Sequence, residues 1–204
     1  MSEVCLNLPL NNVSFGQLGT ALAREAYKRD LNPVIFPHGQ VDIASQREDA
    51  DFQSWLENKL NNGVKGFNSS LYESSFKIWH LNPETYFQLT SKQNLLSFYE
   101  LDAPTELEMN VVRNNNLVYF TSEYCVNIFK EAGAENVKYL PLFFDSFNFS
   151  VVEKEFYRDK RITFNLVGKF EKRKNHAQVL KAWAKKYGNN KKYYLNCAIY
   201  NPFL

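Results

Sequence analysis

Short apolar runs alternate along the chain with stretches whose apolar residues recur every three or four positions. That is the pattern of an α/β protein built on a mainly parallel sheet. Residues 3–8 read as the first strand. A helix is predicted over 15–29 from the stripe Phe15, Leu18, Leu22 and Ala26, with Ser14 as N-cap, Gln17 completing a capping box and Val13 stapled onto Leu18. Residues 33–36 form a second strand and 47–60 a helix through Phe52, Trp55, Leu56 and Leu60. The Asn-, Gly- and Ser-rich residues 61–70 read as loop. Strands follow at 76–79 and 95–99, and a helix starts after Pro104. Residues 117–120 are strand, Ser122 caps a helix that runs to Ala132 and stops at Gly133, and 137–140 return to strand.

The rhythm then breaks and restarts. A strand over 162–167 ends at Gly168. A helix over 175–187 buries the stripe Val179, Leu180, Trp183 and Tyr187 and stops at Gly188, and a last strand covers 193–199. The expected organisation is a Rossmann-like first domain at 1–145, a linker at 146–160, and the opening β-α-β unit of a second Rossmann-like domain at 161–204. One such unit cannot cover both faces of a parallel sheet. Either it docks onto the first domain or the natural protein continues, and continuation is the expectation.

Composition narrows the class. With 45% hydrophobic and 23% charged residues the chain is an ordinary globular sequence. Cys5, Cys125 and Cys197 are too few and too scattered for a disulfide framework or a zinc site, so no metal is expected. No secretory signal is visible and no window approaches ~18 consecutive apolar residues. A reduced, cytoplasmic setting is therefore expected, with peripheral membrane contact left open.

Charge divides the chain more sharply than composition does. Residues 160–204 hold eleven Lys or Arg against the single acid Glu171, a net of +10, while the other 159 residues carry a net of −8. Such asymmetry suggests that the C-terminal segment meets an anion, either phosphate or nucleic acid; the plainer reading is a solvated lysine-rich helix face. Four of those cations, Lys169, Lys172, Arg173 and Lys174, lie between a strand-ending glycine and a helix start. Cations there oppose the helix dipole, at a cost of ~0.3–1 kcal/mol each when exposed, and a bound anion reverses that sign. A second turn, Asn11 to Gly16, joins the first strand to its helix and offers free N–H groups, or else simple capping and close packing.

The stretch from Phe164 to His176, with Leu180, Ala182 and Trp183 behind it, resembles the opening of the donor domain in glycosyltransferase family four. That family reads strand, Gly-Arg, a few residues, Lys-Gly, helix. The resemblance extends upstream. Tyr99 to Glu106 is similar to the Glu-x-Asp segment with its proline, and Phe120 to Tyr124 to the strand and Pro-Ser-Glu-Phe turn. Pro141 to Asp145 is similar to the Pro-x-Gly-x-Asp element, and Ser14-Phe15-Gly16 to the glycine-bearing first loop. The implied fold is GT-B, two Rossmann-like domains facing a cleft. The implied activity is transfer of a sugar from a nucleotide-diphosphate sugar to an acceptor hydroxyl, with retention and without a protein-bound metal or other cofactor.

By the same resemblance the donor diphosphate falls to Gly168, Lys169, Lys174, Asn175 and Gly16, and the acceptor to Ser14, Glu100 and Asp102. His80, at the end of a predicted strand, is the catalytic candidate; packing at the strand end is the other reading of it. His38 ranks below it, and Asp102 has the alternative of capping the next helix. The chain departs from the family in two places, Lys169 for the usual arginine and Asn175 for the usual glycine. The later Glu-x7-Glu motif has no counterpart in the 204 residues, so little transferase activity is expected of this polypeptide alone. The expected partners are a nucleotide sugar and a glycan, lipid-linked or other hydroxyl acceptor, with self-association open to the unfinished second sheet. The rival classes are a nucleic-acid-binding protein using its basic segment, interleaved with Trp183, Tyr187, Tyr193 and Tyr194, and a non-catalytic sugar-binding module of the same fold.

Overall fold

The computed structural model describes residues 4–66, 72–149, 151 and 160–201. The chain divides into two compact units, Met1–Ser150 and Val151–Leu204. The first is an α/β unit in which six strands, β1 (Val4–Leu8), β2 (Val34–Pro37), β3 (Ser74–Ile78), β4 (Lys92–Ser97), β5 (Leu117–Phe120) and β6 (Val137–Tyr139), form one sheet. Their order is β2-β1-β3-β4-β5-β6, and every neighbouring pair is parallel. The helices between them are α1 (Ser14–Lys28), α2 (Ala50–Gly66), α3 (Pro83–Tyr86), α4 (Glu106–Asn114) and α5 (Glu123–Glu131).

Parallel strands covered on both faces are apolar throughout rather than alternating. Leu95 and Leu96, adjacent on β4 and both buried, show why: successive side chains point to opposite faces. Leu96 joins Leu6, Leu8, Ile35 and Ile78 under Phe15 and Leu18 of α1 and Phe52 and Leu56 of α2. Leu95 joins Val118, Phe120 and Val137 under Met109 and Val112 of α4 and Phe129 of α5.

Local signals fix several ends. Ser122 caps α5 by accepting the Cys125 N–H, and Gly133 follows the helix with φ +92°. Thr105 caps α4 in a reciprocal box with Glu108, so Asp102 does not cap it. Other expectations are corrected. Ser14 is already helical; the N-cap of α1 is Val13, with no capping side chain, because the Gln17 N–H bonds the Val13 carbonyl (2.9 Å) and starts the helix one residue earlier, while Asn11 Oδ1 takes the Val13 N–H in a local turn (3.1 Å). Residues 61–66 are helix, not loop. At Gly63 a Cβ would stand 2.1 Å from the Ile35 carbonyl oxygen, so this glycine lets α2 lie against β2 rather than breaking the helix. Residues 67–71 lie outside the described residues. The short helix α3 was not anticipated; Asn82 and Thr85 form its capping box around Pro83.

Behind β6 the chain is tied back onto the first unit by Arg24, which is fully buried. Its guanidinium donates to Asp145 Oδ2 at 2.9 Å and Asp49 Oδ2 at 3.0 Å, and lies between the rings of Phe52 and Phe147, 4.1 and 4.4 Å from their centroids. Residues 146–149 thus pack on this unit, and Asn148 Oδ1 accepts the Arg47 N–H. Of the expected linker, 150 and 152–159 lie outside the described residues.

The second unit is a strand–helix–strand: β7 (Ile162–Lys169), a basic 3-10 turn (Lys172–Lys174), α6 (His176–Tyr187) and β8 (Tyr193–Tyr200). β7 and β8 pair in parallel from Ile162↔Tyr193 to Lys169↔Tyr200. The expected buried stripe of α6 is not buried: Val179 and Leu180 are exposed, and Trp183 and Tyr187 half-buried. Within the described residues of this unit, two strands on one side of the helix do not cover the stripe. Asn175 holds the N-cap position of α6, but its side chain makes no capping bond; it is left-handed, φ 54° and ψ 30°.

Candidate functional site

In the first unit the sheet reverses its winding between β1 and β3, where ligands of open α/β sheets bind beyond the strand carboxyl ends. The loops after β1, β2, β3 and β4 meet there around Phe15. Its ring contacts His80 edge-on at 4.5 Å, Phe98 at 4.5 Å and Trp79 at 5.7 Å. His38, just past β2, donates its N–H to Leu8 O of β1, and its ring lies 4.1 Å from Trp79. Glu84, in the first turn of α3, accepts the Trp79 indole N–H at 2.7 Å and faces His38 Nε2 at 3.4 Å. The buried Lys77 donates to the Glu84 carbonyl at 2.9 Å.

This surrounding sets the proton chemistry. Partial burial pushes the His80 imidazole below its ordinary range, with the Glu100 and Glu84 carboxylates pulling the other way. His38 is lowered by burial and then by the Lys77 charge, against Glu84. Glu84 is held below the usual carboxylate range, first by the Trp79 hydrogen bond. Burial lowers Lys77 as well. The edge therefore offers imidazoles biased toward the neutral form beside the ionised Glu84 carboxylate, groups that exchange hydrogen bonds with hydroxyls.

The sequence-derived candidates of this unit take different places. His80 is exposed at the rim, and its carbonyl accepts from Thr85 Oγ1 at 2.7 Å. Glu100 and Asp102 are exposed on the turn after β4. The Tyr99 hydroxyl fixes that turn by donating to Ala103 O at 2.7 Å; burial and then Glu108 push the phenol up to about 12. Ser14 is exposed at the start of α1. Gly16 is buried beneath Asn11, where a Cβ would stand 2.1 Å from Asn11 Oδ1 and 2.4 Å from its carbonyl oxygen. Sequence reasoning passed over Trp79 and Glu84; the proline-started turn at 82–85, directly after His80, was the available signal. A surface cavity of about 620 Å³ lies elsewhere, between α3 and α4, lined by Tyr86, Phe87, Leu107 and Arg113 among others, and includes none of these candidates.

In the second unit the candidates gather on one turn. Near the end of β7, still paired with Ile199, Gly168 takes φ +153°, a backbone that side chains disfavour. Glu171 binds Lys169 at 2.5 Å and Arg173 at 2.9 Å, while Lys172 and Lys174 are exposed and have no ion-pair partner among the described residues. Asn175 then supplies the left-handed step that starts α6, a step asparagine tolerates better than other side-chain-bearing residues. Cations thus crowd a helix start, the reverse of what the dipole favours and an arrangement that suits an anion.

The first unit is a Rossmann-like α/β protein with a six-stranded parallel sheet. No protein-family model matches the chain, and no curated protein is significantly similar to it. Among the described residues no group of three or more His, Cys, Asp or Glu is placed to hold a metal ion, and no helix is long and apolar enough to cross a membrane.

Proposed function

We propose that the protein is a nucleotide-sugar-dependent glycosyltransferase of the GT-B kind, moving a glycosyl group from a nucleotide-diphosphate donor to an acceptor hydroxyl with retention. The observation that carries this reading is the β7–α6 turn. There Gly168, the basic 3-10 turn and the left-handed Asn175 precede a helix N-terminus, in the order that the resemblance to glycosyltransferase family four leads one to expect. Lys169, Lys174 and the helix start take the diphosphate. In the transfer step they stabilise the charge that grows on the departing diphosphate, the main service a protein can offer a reaction of this class. In the first unit His80 stands for the group near the donor sugar, and Glu100 and Asp102 for acceptors of hydroxyl hydrogen bonds.

The test is calorimetric titration of the chain with UDP-glucose, GDP-mannose and ADP-glucose, beside a Lys174→Ala variant. Binding of one donor, weakened at least several-fold in the variant, supports the diphosphate site and names the base. Binding of no donor removes the support from the turn. Strongly salt-dependent binding to mixed-sequence RNA or DNA instead favours the nucleic-acid reading.

A further inference from the structure

His176, the first residue of α6, is 3% exposed, and among residues 160–201 it is the single buried side chain. Its ring lies nearly parallel to Phe170, with planes 11° and centroids 6.0 Å apart. Its Nε2 stands 3.6 Å from where a Cβ would project from Gly168. The imidazole is therefore wedged into the turn between the exit of β7 and the start of the helix. Its Nδ1 is sealed from solvent and has no hydrogen-bond partner among the described residues. A buried polar nitrogen left unpaired is rare in native proteins and calls for an explanation.

The surroundings indicate what partner this nitrogen is built for. Gln178 and Val179 donate to Asn175 O, and no partner is found among the described residues for the N–H groups of His176 and Ala177, the first donors of the helix. Around them stand Lys172 and Lys174, and Lys169 and Arg173 with their shared Glu171. Free helix N–H groups and four cations thus share one turn with a single carboxylate, Glu171, and an anion is the group complementary to the excess. Phe170, whose ring lies alongside the imidazole, is itself 56% exposed.

We propose that His176 is a direct ligand of the donor diphosphate, its Nδ1–H donating to a phosphate oxygen held by the N–H groups of His176 and Ala177. The proposal rests on reading the β7–α6 turn as the diphosphate site. It makes His176 more than a space-filling wedge and assigns the imidazole a defined tautomer, hydrogen on Nδ1, in the complex.

The experiment uses the 204-residue chain and three variants, each first checked for native folding by urea denaturation. Donor affinity is measured by calorimetry with UDP-glucose, GDP-mannose, ADP-glucose and inorganic pyrophosphate. His176→Phe keeps the ring and its stacking but loses the donor; binding should weaken roughly tenfold to hundredfold, the worth of one hydrogen bond to a charged group. His176→Asn sets an amide N–H near the place of Nδ1 and should recover most of that loss. In the wild type, long-range 15N–1H spectra should show the Nδ1–H form of His176 on saturation with the donor. Wild-type affinity in His176→Phe, with Lys174→Ala weakened, overturns the proposal and leaves the diphosphate site standing. An Nε2–H form in the complex overturns it too. No binding of any probe to the wild type removes the site and the proposal together.

Discussion

The two units share one topological idea, a strand, a helix and a parallel strand, yet they differ in what holds it. In the first, neighbouring strands and helices seal both faces of the sheet, and buried apolar residues form a cluster on each. In the second, eight paired positions and a stack of Phe164, Tyr187 and Tyr193 support a helix whose apolar residues stay partly in water. Periodicity and capping are local and specify backbone in both. Burial is a property of neighbours, and only the first unit has enough of them. The chemistry differs in the same way: rings and carboxylates set on strand ends in one unit, cations on a single turn in the other.

The comparison can be broken at several points. The largest effect is expected for Asp145→Ala, which leaves Arg24 buried with one carboxylate fewer. Unfolding of the first unit in urea should show a loss of about 3–5 kcal/mol; a loss under about 1 kcal/mol would mean that Asp49 and the two rings suffice to hold the guanidinium. Phe129→Ala, fully buried, should cost about 3–5 kcal/mol. Its counterpart Leu180→Ala, 38% exposed on α6, should cost under about 1 kcal/mol. Equal costs for these two would contradict the contrast drawn between the units. Gly63→Ala drives a methyl into the Ile35 carbonyl and should destabilise by about 1–3 kcal/mol, with α2 shifted off β2 in the hydrogen-exchange pattern.

The smallest effect concerns pH. His38 and His80 are lowered in the folded protein, chiefly by burial, so the unfolded chain binds their protons more readily. Stability from these groups is full above about pH 6.5, the ordinary histidine value, and falls as the pH drops through that value toward the depressed ones. The urea midpoint should decline between pH 7.5 and 5.5, and His38→Gln should flatten the decline; an unchanged slope would show that His38 contributes nothing to it.

Much of the first unit was legible because its strands are short apolar runs and its helices carry clear stripes; β1 and α5, with the Ser122 cap, are of this kind. What escaped depended on partners distant in sequence. Gly63 reads as a loop former until Ile35 is beside it. Ser14 reads as a cap until the helix starts one residue earlier, on the Val13 carbonyl. The α6 stripe reads as core because a stripe implies a partner without supplying one. At the site, the cations of 169–174 were visible as a run, but the Glu171 bridges to Lys169 and Arg173 were not. The meeting of His38 and Phe15 on Trp79 is a product of strand order, whereas the bond from Trp79 to Glu84 spans only the proline-started turn.

The buried guanidinium of Arg24 also bears on the order in which the protein is made. Asp49 follows it by 25 residues, but Asp145 follows by 121. At a synthesis rate of about 5–20 residues per second, the ribosome delivers the second carboxylate about 6–24 s after the arginine itself. Until then Arg24 has the charge of Asp49 beside it but neither the second carboxylate nor the Phe147 ring that complete its buried setting. The burial of a residue in the first helix is thus completed only by the segment behind β6, the last part of this unit to be synthesised.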